Sequence, residues 1–168
     1  MKPVQASSYE GPTDVAVIMA SLAKQMGYTF ENNGVSVILA SPYFWGTARQ
    51  QALSAADAAN IFVVFDNENG ILAIVPKNGV RGSLVPVISA ATGMVGYPVY
   101  SGPGTVNVKS LYNPTVQFLG KIQVDSIVKP ASGIWRVSKL SHSLEAQTPN
   151  GDWFTDIVGD LFFRMAGA

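Results

Sequence analysis

With 168 residues, 48% of them apolar and only 13% charged, the chain has material for one domain or two small ones with real cores. Eleven basic and eleven acidic groups cancel, so no net charge draws it to nucleic acid or to an anionic membrane. Cysteine is absent and His142 is the single histidine, which excludes disulfides, thiol chemistry and metal sites built on Cys or a His pair.

Few charges beside three Trp, eight Phe and six Tyr point to apolar surface covered by partner subunits. The longest apolar run, Val15 to Ala20, is far too short to span a bilayer, and the first eight residues lack a secretory core. No membrane insertion is expected, and synthesis in the cytoplasm is.

In chain order, Val4 to Tyr9 reads as a short strand. Gly11-Pro12 is expected to open a helix with proline at its first position. Val15, Ile18, Met19, Leu22 and Met26 then recur at spacings of three and four, and Gly27 ends the helix as a left-handed cap. Asn32-Asn33-Gly34 lies between the β-prone runs Tyr28–Glu31 and Val35–Leu39 and predicts a tight hairpin. Ser41 to Gly46 is a connection, and Thr47 with Gln50 fits a capping box for a helix reaching about Asn60. The pattern then returns, with strands at Ile61–Asp66 and Ile71–Val75 around the turn Asn69-Gly70. Helix, strand, Asn-Gly turn, strand thus occurs twice, which suits one α+β layer over residues 1–78.

Glycine and proline become dense after Pro76, predicting a boundary near residue 79 and a long ordered loop over residues 90–104. Leu84 to Ile88 is a further candidate strand in this stretch. The remainder of 79–168 reads as β. Strands are expected at Val106–Tyr112, after Gly120, from Gly133 to about Glu145, and from Trp153 to Val158 after the turn Thr148–Gly151. Trp135 and Val137 share one parity while Leu140, His142 and Leu144 share the other, which predicts a bulge near Ser138-Lys139. The expected class is α+β: a small lobe with two helix–hairpin units on a sheet, then an antiparallel barrel- or sandwich-like lobe.

Candidate chemistry is sparse. His142, between Leu140 and Leu144 on one strand face, reads as a packed, hydrogen-bonded core residue. Ser141 and Ser143 point away from it, which leaves them without a base. Asp66 to Gly70 imitates a calcium loop, but its glycine comes one residue early and Lys77 stands where a bidentate Glu is needed. Asp152 and Asp156 are expected on one exposed strand face. Phosphate-cradling glycine motifs and basic-aromatic runs are absent. No catalytic, cofactor or metal residue is therefore assigned. Tyr43, Phe44 and Trp45 are the candidate subunit interface, with a plug over the adjacent sheet as the competing reading.

Several stretches, in order, resemble the baseplate hub proteins of contractile-tailed bacteriophages. Glu10-Gly11-Pro12-Thr13-Asp14, running through Leu22 to Gly27 and Phe30-Glu31-Asn32-Asn33-Gly34-Val35, is similar to their small α+β domain. Thr92-Gly93-Met94-Val95-Gly96-Tyr97-Pro98, Asn113-Pro114, Gly133 to Val137, Leu140 to Leu144 and Pro149 to Trp153 follow in the matching order. The resemblance implies a non-enzymatic virion component, assembled in the host cytoplasm, that joins tail tube to spike. It implies a trimer with two tube-like β domains per subunit, and a lumen with no base-reading contacts. Only one β region is visible here, so the chain reads as a fragment or a shortened member. The parent is then a trimer, and the isolated chain a trimer or a monomer. A carbohydrate- or receptor-binding tail module and a small wall-degrading hydrolase are the alternatives.

Overall fold

The computed structural model describes residues 6–161 apart from 103, 148 and 150. The expected strand start at Val4, Pro103 of the expected loop over residues 90–104, and Thr148 and Asn150 of the later turn lie outside the described residues. Contacts divide the chain into two units, one ending at Gly79 and the other beginning at Val80. The fold class is α+β.

In the first unit Ser7–Ser8 forms β1 and Pro12–Asp14 forms β2. The first helix, α1, spans Val15–Met26. Asp14 caps it, its carboxylate accepting the Ala16 N–H at 2.8 Å. Pro12 is therefore not the first helical residue as expected, because Pro12–Asp14 is held extended by pairing with Ile38–Ala40, β4. Gly27, at φ 75°, closes α1 in the left-handed conformation that a side chain would strain. Strand β3 is Thr29–Asn32 and β5 is Tyr43–Phe44. Helix α2 covers Ala48–Ala58, and Ile61–Asp66 and Ile71–Pro76 are β6 and β7.

Strands β6 and β7 form the antiparallel pair expected around Asn69-Gly70, where Asp66 Oδ1 accepts the Asn69 N–H at 3.1 Å. The first Asn-Gly segment does not form a hairpin. Strand β3 runs parallel to β7, and β4 pairs with β2 instead. The cause lies in the side chains of the turn. Asn32 accepts the Val35 N–H at 2.8 Å and donates to the Val35 carbonyl at 3.0 Å, which makes a wider loop. The Asn33 N–H extends the ladder to the Ile74 carbonyl at 3.0 Å. Val35 then drops into the core formed by Val15, Ile18, Met19 and Leu22 with Ala52, Ala55 and Leu72. The alanine stripe of α2 leaves room for α1 to pack closely on it.

The second unit is one six-stranded sheet. Its strands are β8 (Val87–Ile88), β9 (Val99–Tyr100), β10 (Thr105–Leu111), β11 (Lys121–Val124), β12 (Gly133–Leu144) and β13 (Trp153–Asp160). The spatial order is β8-β11-β12-β13-β10-β9, antiparallel except for the β8–β11 pair. The stretch expected as a loop contains β9 and a 3-10 turn at Ala90–Thr92. The sheet curls into a half-barrel, so that Ile88 near one edge shares a core with Val106 and Val108 near the other. Trp135 fills its centre, donating its indole N–H to the Ala131 carbonyl at 2.9 Å and meeting the Tyr100 ring edge-on at 6.3 Å. Gly159 permits that closure: a Cβ there would stand 2.8 Å from Trp135 Cβ and 2.9 Å from Val106 Cγ1. The expected bulge is present, as a register shift between Val137 and Lys139.

Candidate functional site

The aromatic triplet sits where β1 and α2 meet the chain. Strand β5 pairs with β1, placing Ser7 opposite Phe44 and Ser8 opposite Tyr43. Alternation along an extended chain then separates the three rings. Phe44 is 8% exposed and belongs to the core, whereas Tyr43 is 62% and Trp45 75% exposed. The triplet thus divides, with one ring plugging the core and two facing solvent.

A buried polar side chain of α2 ties β1 and the connecting loop to the helix. Gln51, fully buried, accepts from the Ser7 hydroxyl and donates to the Gly46 carbonyl at 2.9 Å. The expected capping box is complete. Thr47 Oγ1 accepts the Gln50 N–H at 3.3 Å, and Gln50 Oε1 accepts the Thr47 N–H at 2.9 Å. Helix and loop are therefore joined by side-chain hydrogen bonds at both residues of the box and at Gln51. Trp45 rises beside Leu53, also exposed, over a shallow hollow of about 270 Å³ completed by Gln50 and Ser54. An exposed indole beside an exposed leucine has the chemistry of an interface anchor.

His142 is not the buried residue that strand parity suggested. It is exposed, as is Leu144, while Leu140 is half-buried. Strand β11 ends at Val124, opposite Gly133, and its pairing with β12 reaches only as far as Arg136, so the far half of β12 extends beyond the core. The hydrogen-bonding part of the expectation is present: His142 Nδ1 lies 3.0 Å from Thr155 Oγ1, which also accepts the Asn113 N–H at 3.0 Å. Tyr112 meets the imidazole edge-on at 5.2 Å and Trp153 at 6.2 Å, a small aromatic group that sequence spacing did not reveal. Its members come from separate segments, so only the sheet register could have found it.

Asp156 lies on β13 as expected, but Asp152 precedes that strand, its N–H donating to Glu145 at 3.4 Å. Among the described residues, no group of three or more His, Cys, Asp or Glu is placed to hold a metal. Among them, too, no helix is long and apolar enough to cross a membrane.

No protein-family model matches the sequence, and no curated protein does. The fold does have a counterpart. It is similar to the crystal structure of the 43 kDa tail protein of prophage MuSo2 from Shewanella oneidensis, with a TM-score of 0.54. The match covers 91% of this chain at 7% sequence identity. This chain spans 65% of the length of that protein, a little under two thirds. At that identity the likeness establishes the fold.

Proposed function

We propose that this chain is a structural component of a phage, or phage-derived, tail baseplate hub, that it links tail tube to spike by protein–protein assembly, and that it performs no catalysis. The observation that carries the reading is the fold: both kinds of lobe, in the same chain, have their counterpart in a prophage tail protein across 91% of the residues. The ordered hub-like stretches from Glu10 to Trp153 point the same way and favour the hub over other tail positions. Exposed Tyr43 and Trp45 just before the capped start of α2, and a chain poor in charge, supply the kind of contact that ring assembly needs. The working form is a trimer of the parent protein in the virion tail, put together in the host cytoplasm, with no cofactor.

The test is co-expression of the parent protein with the tube and spike proteins encoded beside it. A trimer by native mass spectrometry that retains both is expected. A monomer that binds neither would overturn the hub reading. Turnover of peptidoglycan or peptides, lost on changing one carboxylate, would overturn the non-catalytic part.

A further inference from the structure

The outer face of the six-stranded sheet holds a pocket of about 370 Å³ that the assembly reading does not use. Register explains why it is there. On β10, β13 and β12, Asn107, Val158 and Lys139 form one row across the sheet, and Lys109, Asp156 and Ser141 form the next. Val99 extends the first row on β9, and Tyr97, 70% exposed, stands at the rim. The bulge at Ser138 is what puts Lys139 in this set. Val137 faces the core, so strict alternation would send Lys139 inward as well; the extra residue turns it outward, opposite Val158.

The charges of this pocket are not spent on one another. Lys109 lies directly across from Asp156, yet its ammonium rests over the Phe154 ring at 4.3 Å. Among the described residues Asp156 makes no ion pair, and neither does Lys139. Two cations and one carboxylate thus border a hollow whose remaining walls are a tyrosine ring, three valines, an isoleucine, an amide and a hydroxyl. The backbone offers a ligand little, because Asn107 is paired on both sides and Val158 likewise. That disfavours a phosphate cradle, which needs free N–H groups.

From this arrangement we infer that the pocket binds an acidic sugar, a pyranose carrying a carboxylate. The Tyr97 ring, Val99 and Val158 receive the C–H face of the sugar. Asn107, Asp156 and Ser141 bond its hydroxyls, and the lysines take its carboxylate as point charges. The site lies within the second unit, so binding can be tested on the isolated chain.

The test titrates the full chain with glucuronic acid, glucose and inorganic phosphate, following backbone amides by NMR. Shifts clustered at residues 97–99, 107–109, 139–141 and 156–158 are expected with glucuronic acid, with affinity about tenfold weaker for glucose. Lys139→Gln together with Lys109→Gln should remove that preference and keep glucose binding, whereas Tyr97→Ala should weaken both sugars. All three side chains are exposed, and an unchanged spectrum elsewhere will show that the variants fold. Phosphate shifting the same amides as strongly would reduce the site to simple anion attraction and overturn the proposal. Equal competition by a poly-glutamate peptide would overturn it in favour of an acidic protein segment, and no clustered shift with either sugar would overturn it outright.

Discussion

Replacing Phe44 by serine, against replacing Tyr43 and Trp45 together by serine, separates folding from assembly within three consecutive residues. Phe44 is 8% exposed, so nearly all of an aromatic side chain of about 200 Å² leaves water on folding. At about 25 cal/mol per Å² that burial is worth roughly 4–5 kcal/mol, and the cavity left behind adds to the loss while relaxation reduces it. Phe44→Ser should therefore destabilise the first unit by about 3–5 kcal/mol. The double variant removes two exposed rings and should change stability by less than about 1 kcal/mol. Both helices lie in the first unit, so urea denaturation followed by circular dichroism at the helical band reports on it directly. Pull-down of tube, spike or sister subunits by the parent protein reads assembly. The double variant should fold normally and assemble poorly. A Phe44→Ser chain as stable as the wild type would refute the core assignment. A double variant that unfolds, or that assembles undiminished, would refute the interface.

Gly159→Ala should destabilise the second unit by about 1–3 kcal/mol, because the new methyl meets Trp135 and Val106 inside 3 Å; a lowered melting temperature in the near-ultraviolet signal checks it. Gln51→Leu keeps the volume but strips partners from the Gly46 carbonyl and the Ser7 hydroxyl, costing roughly 1–3 kcal/mol in urea denaturation. His142→Ala should cost under about 1 kcal/mol, since the imidazole is exposed and Thr155 keeps the Asn113 N–H. A loss above about 2 kcal/mol would return that histidine to the core.

What the sequence determined by itself was local. The capping box at Thr47 and Gln50, the left-handed Gly27, the hairpin at Asn69-Gly70 and the bulge at Ser138 each depend on residues within a few positions of one another. Backbone sterics and short-range hydrogen bonds suffice to specify them. Tertiary structure decided the rest. Asn33-Gly34 carries the same signal as Asn69-Gly70, yet β3 takes β7 as its partner from 42 positions away because the Asn32 side chain and the Val35 plug are satisfied only in that arrangement. Strand parity placed His142 on the correct face but could not say where along β12 the core stops; that depends on where β11 begins, at Lys121 opposite Arg136. Alternation could have divided Phe44 from Tyr43 and Trp45, although which side was buried depended on β1, whose Ser7 pairs with Phe44 from 37 positions earlier. Likewise, Lys109, Lys139 and Asp156 become neighbours only when three strands align. Short-range chemistry writes elements and turns, whereas sites assembled from distant strands exist only once the register is set.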